Sequence, residues 1–233
     1  MDKNISKPTD ASIILTYRCP MQCKMCNIWK NPTDKHKELK AEELRSLPKL
    51  KFINLTGGEP FVREDLEEIV DVCYTKTDRI VISTSGWFDD RVIALAKKYP
   101  QIGIRISIEG LSQKNDDLRG RQGGFDKGLR TLLKLREMGV KDIGFGCTVS
   151  NYNSKDMLSL YSLSRSLGME FATASFHNSY YHLQRPSKIY SSIGFGNKRI
   201  FKSDKIENTI EAYRRYRLAS VFLHFRFSMI SDT

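Results

Sequence analysis

The chain has 233 residues, enough for one large domain or two small ones with a substantial core. It contains no apolar run of the roughly 18 to 20 residues that a membrane helix needs and no signal-peptide core, so we expect a cytoplasmic protein without a membrane span. The formal net charge of +11 favours anionic partners, but no nucleic-acid-binding module is visible, and we do not expect nucleic acid among them.

Six short apolar runs alternate with helical patterns along the chain. The predicted strands are Asp10–Thr16, Phe52–Leu55, Ile80–Ile82, Ile104–Ile108, Ile143–Val149 and Phe171–Phe176. The predicted helices lie around residues 39–47, 66–73, 92–96, 125–133, 160–167 and from about 204 onward. We expect the first strand to be buried and the polar stretch before residue 125 to be a loop. Because parallel strands need crossover connections, the alternation predicts an α/β fold, a partial (β/α)6 TIM-like barrel of parallel strands with helices outside.

Three of the five cysteines stand together in a CxxxCxxC pattern made by Cys19, Cys23 and Cys26. An odd number of cysteines with three clustered argues against a secreted disulfide scaffold and favours a reduced compartment or a metal centre. Two kinds of centre are open at this point. His36 would complete a structural zinc site of three cysteines and one histidine. An iron–sulfur cluster normally takes four cysteines, so three would leave one iron free for another ligand.

Polar or glycine-rich segments follow each of the first four predicted strands. These are the cysteine loop, then Gly57-Gly58-Glu59-Pro60, then Ser83 to Gly86, and then Ser107-Ile108-Glu109-Gly110. Ligands in barrels of this kind bind at the carboxyl ends of the strands. We therefore expect all four segments on one rim. Glycine at the second segment would let the backbone approach a ligand closely.

The CxxxCxxC pattern, followed one strand–helix unit later by Gly57-Gly58-Glu59-Pro60, resembles the signature of the radical S-adenosylmethionine (SAM) enzymes. The resemblance implies that Cys19, Cys23 and Cys26 hold a four-iron four-sulfur cluster whose free iron binds SAM through its amino and carboxylate groups. It also implies that Gly57, Gly58 and Glu59 contact the SAM amino group. Two motifs in the expected context favour the cluster over zinc.

Four further residues are implied to bind SAM. Ser107 belongs to a segment similar to the fourth-strand motif that contacts SAM, and Ser85 stands where many relatives have asparagine. Met25 occupies a position near the adenine that is usually aromatic in the family, and a thioether can also pack on an adenine face. Arg119 lies in a stretch similar to that of the molybdenum-cofactor and peptide-maturation subgroup. It is a candidate carboxylate partner, with a loop ion pair as the alternative.

The resemblance implies an enzyme that cleaves SAM reductively to a 5'-deoxyadenosyl radical, which abstracts hydrogen from an unidentified peptide or small molecule. An electron donor such as flavodoxin or ferredoxin would be its partner. The alternative is a domain that binds SAM and the cluster but turns nothing over.

We expect an N-terminal tail at residues 1–9 and a radical SAM core at residues 10–202. Residues 203–233 are expected to form the sixth-unit helix and the start of a C-terminal segment that is cut short, because relatives of this subgroup continue into a segment with additional clusters. His177 and His182 follow the sixth predicted strand and are expected at the mouth of the barrel. Substrate contact or proton transfer is one role for them, and an ordinary place in a loop is the other.

Overall fold

A computed structural model describes residues 8 to 175, and the side chain of Ser175 is not among them. The strands are β1 (Asp10–Ile14), β2 (Phe52–Thr56), β3 (Ile80–Thr84), β4 (Gly103–Ser107), β5 (Ile143–Val149) and β6 (Glu170–Ser175). The α-helices are α1 (Leu66–Tyr74), α2 (Asp89–Lys98), α3 (Gln113–Arg119), α4 (Gly124–Glu137) and α5 (Met157–Ser166). None of these helices is long and apolar enough to cross a bilayer.

The six strands form one parallel sheet in the order β1-β2-β3-β4-β5-β6. Each strand therefore pairs with its sequence neighbour through a crossover, which confirms the predicted α/β half-barrel. The predicted helix beyond residue 203, the boundaries drawn at residues 202 and 203, and both His177 and His182 lie outside the described residues.

The core lies between the sheet and its helices, because alternate residues of each strand point to one face. Ile53 and Leu55 of β2 and Phe145 of β5 are fully buried there. Cys73 and Cys147 belong to the same core. Burial of one large apolar side chain contributes roughly 1.5 to 3 kcal/mol, so this layer is the main source of stability.

The opposite face of the sheet, here called the inner face, carries several small or polar side chains. Asn54 donates to Ser12 Oγ at 3.2 Å and accepts from Ser83 Oγ at 3.0 Å, so one polar chain crosses three strands. On β5 and β6, Gly146 and Ala172 lie opposite each other. A closed barrel fills this space with bulky branched residues. Here Gly146 and Ala172 are small and partly exposed, so the described residues leave this part of the inner face open.

The first strand is not buried, contrary to the prediction. Asp10, Ser12 and Ile14 are exposed, and Ile14 keeps 39% of its surface in solvent. In the described part of the chain, β1 pairs only with β2. Asp10, Ser12 and Ile14 are alternate residues of this strand and lie on the inner face of the sheet. The apolar run therefore predicted the strand correctly. It did not predict that, among the described strands, β1 lies at the edge of the sheet.

Two connections also differ from the prediction. The crossover after β1 is a six-residue 3-10 helix, Ala41–Ser46, rather than an α-helix. Only Ala41 and Leu44 are buried in it, too few for the apolar stripe that stabilises a longer helix. Conversely, the polar stretch after β4 contains α3, which ends at Gly120 in the left-handed conformation (φ 65°), a common helix stop.

A buried carboxylate holds the short crossover to the sheet. The Glu38 side chain is 2% exposed and accepts from Arg18 Nε at 2.9 Å and from the hydroxyls of Thr16 and Thr33, both at 2.5 Å. Arg63 lies 3.4 Å away on the other side. Desolvation opposes ionisation of this carboxyl, but the hydrogen bonds from Arg18 and the two threonines outweigh it and lower the pKa of Glu38 from 4.5 to about 2.

This network predicts a pH-dependent loss of stability in the Glu38→Gln variant. A carboxyl whose folded pKa lies below its unfolded value stabilises the fold above pH 4.5, and that contribution is lost as the pH falls towards 2. We expect Glu38→Gln to lower the free energy of unfolding at pH 7 by on the order of 2 kcal/mol. The difference from the parent chain should shrink below pH 4.5, as measured by urea unfolding across pH.

The matched control is Glu64→Gln. Its carboxylate pairs with Lys35 but is 80% exposed. Exposed ion pairs contribute little, so this variant should unfold within about 0.5 kcal/mol of the parent at every pH. Equal losses in both variants would contradict the role given to Glu38.

Candidate functional site

An open cavity of about 170 Å³ lies where the first five strands end. Nine of the ten predicted site residues line it: Cys19, Cys23, Met25, Cys26, Gly57, Gly58, Ser85, Ser107 and Arg119. The predicted rim therefore exists, and only Glu59 stands behind the lining rather than in it.

The start of the cysteine loop is held by the glycine pair. Gly58 N–H donates to Thr16 O at 2.6 Å, and Glu59 N–H donates to Arg18 O at 2.9 Å. A Cβ on Gly57 would lie 2.5 Å from Thr16 O, and one on Gly58 would collide with the carbonyl of Arg18. Gly57 also has φ +143°, which side chains rarely adopt. Only glycine lets these two backbones meet.

The middle of the cysteine loop is held from the other side by the end of α3. Gln22 N–H donates to Arg119 O at 3.0 Å, and Lys24 N–H donates to Leu118 O at 2.8 Å. A Cβ on Gly120 would collide with the carbonyl of Gln22. The helix stop at Gly120 thus also gives the loop the space that it needs.

The Glu59 carboxylate connects two of the predicted motifs. It is fully buried and accepts from Phe61 N–H at 3.1 Å, from Thr84 Oγ1 at 2.7 Å, and from both the N–H (2.7 Å) and the hydroxyl of Ser85. A carboxylate has about four acceptor sites, and four donors fill them here. Contact between this motif and the amino group of SAM stays a prediction. Because the Glu59 carboxylate is already fully hydrogen-bonded, the backbone of Gly57 and Gly58 is the part of the motif that would make this contact.

Arg119 lies at the end of a helix rather than in a loop, and its ion pair is buried. Its Nη1 donates to Glu109 Oε1 at 3.1 Å, while Thr148 N–H donates to Glu109 Oε2 at 2.8 Å. Burial raises the pKa of the Glu109 carboxyl, and the Arg119 charge opposes that rise. Arg119 is 8% exposed, and its Nε has no hydrogen-bond partner among the described residues. One buried N–H of a residue that lines the cavity is thus left for a ligand.

The three thiols are half-buried and close to this guanidinium. Burial raises the pKa of Cys19 to about 12 and also raises the pKa of Cys23 and Cys26, while the positive charge of Arg119 acts in the opposite direction on each. Metal ligation requires the thiolate form, and bound metal removes the thiol proton. Three buried sulfur donors beside an unsatisfied cationic N–H fit an anionic iron–sulfur group.

A single zinc ion fits less well. Between residues 8 and 175, no three cysteine, histidine or acidic side chains converge where one metal ion could bind. His36 is exposed on the 3-10 turn Lys35–Lys37. A four-iron cluster has a different requirement, because each cysteine ligates a different iron atom, so its ligands surround a cavity rather than a point.

Eight lining residues were not predicted as site residues, and Trp29 and Glu109 are among them. Trp29 stands three residues after Cys26 on the 3-10 turn Ile28–Lys30, and its Nε1 donates to the Cys26 carbonyl at 2.8 Å. Glu109 stands two residues after Ser107 in a segment whose resemblance was noted. The sequence signal that could have indicated Trp29 and Glu109 is that each lies close in sequence to a predicted site residue. Their hydrogen-bond partners are seen only in the folded structure.

Residues 13–163 match the Radical SAM superfamily, and the chain belongs to this superfamily. It is 33% identical over 161 residues to the Fe-coproporphyrin III synthase of Methanosarcina barkeri, an alignment that covers 64% of this chain and 39% of that protein. It is 28% identical over 183 residues to the GTP 3',8-cyclase of Aquifex aeolicus, covering 72% and 57%. The chain thus spans about two to three fifths of the length of these relatives.

Solved structures share the fold at lower identity. The crystal structure of Streptococcus suis SuiB bound to the precursor peptide SuiA matches 92% of this chain and 47% of its own, with a TM-score of 0.69 and 18% identity. SuiB bound to S-adenosylmethionine matches 92% and 46%, with a TM-score of 0.63 and 16% identity. The superfamily uses a four-iron four-sulfur cluster and SAM, which agrees with the cofactors predicted from the motifs.

The contact between the glycine pair and the cysteine loop predicts a specific defect in Gly58→Ala. A Cβ there would lie under 3 Å from the backbone of Tyr17 and Arg18, so the loop must shift. Overpacking of this kind costs about 1 to 3 kcal/mol. We expect a lower thermal midpoint and less than half of the parent's iron content after anaerobic reconstitution.

Gly146→Ala is the matched control. Its Cβ would meet its nearest neighbour at 3.7 Å, an ordinary contact, and its φ is not in the left-handed region. This variant should keep the parent's iron content. Equal iron content in Gly58→Ala and the parent would contradict the close backbone contact.

Proposed function

We propose that this chain is an enzyme that holds a four-iron four-sulfur cluster through Cys19, Cys23 and Cys26, binds SAM at the free iron, and abstracts hydrogen from a substrate. When bound, these cofactors supply a one-electron cleavage of the SAM sulfonium to a 5'-deoxyadenosyl radical. The observation that supports the proposal most directly is that one cavity is lined by three half-buried thiols, a glycine pair and Arg119, whose Nε–H is unsatisfied among the described residues.

The protein's own residues would bind and orient SAM. Arg119 offers a buried N–H and a positive charge to the carboxylate of the methionine moiety, a charge-assisted interaction. The backbone of Gly57 and Gly58 would take the amino group, since nearby Glu59 is fully engaged. Ser107, half-buried at the end of β4, offers a hydroxyl to the same ligand. Ser85 contributes indirectly, because its hydroxyl donates to Glu59.

The substrate would enter along the inner face of the sheet. Ser12, Asn54 and Ser83 present uncharged donors and acceptors there, and the ends of β2, β3, β4 and β5 lead from this face to the cavity. This surface suits a polar peptide or small molecule. The solved structure of SuiB with its precursor peptide is consistent with a peptide. A flavodoxin or ferredoxin would supply the electron.

All five cysteines of the chain are free thiols. A cytoplasmic location would keep them reduced. Such a location would also provide the electron donor that the proposed chemistry needs.

The direct test is anaerobic reconstitution with iron and sulfide, followed by dithionite and SAM. We expect a brown protein that produces 5'-deoxyadenosine and methionine, measured by liquid chromatography and mass spectrometry. Cys19→Ala, Cys23→Ala and Cys26→Ala should each lose both colour and product. Cys73→Ala, whose thiol is buried under the sheet away from the cavity, should keep both.

Two outcomes would contradict the proposal in different ways. A colourless protein with stoichiometric zinc would remove the cluster and everything that depends on it. A brown protein that binds SAM but yields no 5'-deoxyadenosine under reduction would leave a SAM and cluster binding domain instead of an enzyme.

Arg119→Lys should weaken SAM binding. Lysine keeps the positive charge but lacks the planar guanidinium, which can donate to Glu109 and to the ligand at the same time. A hydrogen bond to a charged group contributes about 1.5 to 3 kcal/mol, so we expect the dissociation constant for SAM to rise at least about tenfold by equilibrium dialysis. Arg105→Lys is the matched control, because Arg105 is also buried but pairs with Asp142 and Glu170. Unchanged binding in Arg119→Lys would remove Arg119 from the site.

A further inference from the structure

We propose that Trp29 is the surface on which the adenine of SAM packs. This inference rests on the proposed function and adds a residue that the motifs do not indicate. It concerns how the nucleoside half of the ligand is held, whereas Arg119 and the glycine pair concern the methionine half.

The lining of the cavity is divided by chain segment. The strand ends and the residues that follow them contribute hydroxyls, glycines and charges, such as Ser107, Gly58 and Arg119. The apolar side chains all come from the cysteine loop and the turn after it: Met21, Met25, Ile28 and Trp29. SAM is divided in the same way, because its methionine end is charged and its adenine is flat and largely apolar on its faces.

Among the described residues that line this cavity, Trp29 is the one aromatic side chain. A nucleobase gains most from a flat partner, and removal of such a partner typically weakens base binding by roughly tenfold. Met25 is buried beside it in the same loop and can pack against an aromatic ring through its thioether. The adenine contact expected of Met25 would therefore be made together with the larger side chain of Trp29.

The indole ring is fixed in place before any ligand arrives. Its Nε1 donates to the carbonyl of Cys26 at 2.8 Å and lies 3.4 Å from the carbonyl of Cys23. Lys30 Nζ lies 5.0 Å from the ring centroid, over one face. The polar edge of the ring is thus satisfied by the backbone of two cysteines. A half-buried ring held this way loses little freedom when a ligand packs on it.

The chain offers a clean spectroscopic test, because it contains only two tryptophans. Trp87 does not line the cavity. It lies against the guanidinium of Arg121 at 4.2 Å and the ammonium of Lys127 at 4.9 Å. In Trp87→Phe, fluorescence therefore reports Trp29 alone. In this reconstituted variant we expect SAM and S-adenosylhomocysteine to change the emission, and methionine to change it far less.

Substitution at Trp29 gives the second arm of the test. We expect Trp29→Leu, reconstituted to the parent's iron content, to bind SAM about tenfold more weakly while its affinity for methionine stays within about twofold. Trp29→Phe keeps a flat ring and should stay within about threefold of the parent for SAM.

The possible outcomes separate the role proposed for Trp29 from the proposed function of the chain. Parent-like SAM affinity in Trp29→Leu, or equal emission changes with methionine and SAM in Trp87→Phe, would overturn the role of Trp29 and leave the proposed function standing. If Trp29→Leu failed to hold iron, the fluorescence arm would decide alone, since it leaves Trp29 intact. A parent protein that bound no SAM at all would contradict the proposed function itself.

Discussion

Four backbone hydrogen bonds hold the cysteine loop, and the arrangement of the site depends on them. Two join the start of the loop to the glycine motif, at Thr16 and Arg18, and two join its middle to the end of α3, at Gln22 and Lys24. Each contributes only about 0.5 to 1.5 kcal/mol net. Their advantage is chemical, because a loop held by its backbone does not use its cysteine sulfurs as anchors. Anchoring through the cysteines would consume the sulfurs that a cluster needs.

The two buried carboxylates at the cavity, Glu59 and Glu109, perform the same task on successive pairs of strands. Glu59, three residues after β2, accepts from Thr84 and Ser85 at the exit of β3. Glu109, two residues after β4, accepts from Thr148 at the end of β5. Each ties the end of its own strand to that of the next strand. They differ in their hydrogen bonds, since Glu59 accepts from neutral donors alone, whereas Glu109 also accepts from Arg119.

The alternation of strands and helices was enough to predict which residues meet, because strand order in a parallel crossover fold places every strand exit on one rim. It could not predict that β1 is an edge strand or that residues 41–46 form a 3-10 helix, since both depend on what packs against them. The partner of Glu109 lies 39 residues away at Thr148, and that of Glu59 lies 26 residues away at Ser85. Such contacts leave no local pattern in the sequence.

Two buried arginines, Arg105 on β4 and Arg119 at the end of α3, show at which end of the sheet an anion is expected. Arg105 points towards the amino ends of β5 and β6, where Asp142 and Glu170 neutralise it and the carbonyls of Ile104 and Asp142 accept from it. Arg119, at the carboxyl ends, has one carboxylate and keeps an unsatisfied Nε–H. A buried donor without an acceptor costs about 1 to 3 kcal/mol. An anionic ligand in the cavity would remove that cost, whereas Arg105 already has carboxylate and carbonyl acceptors.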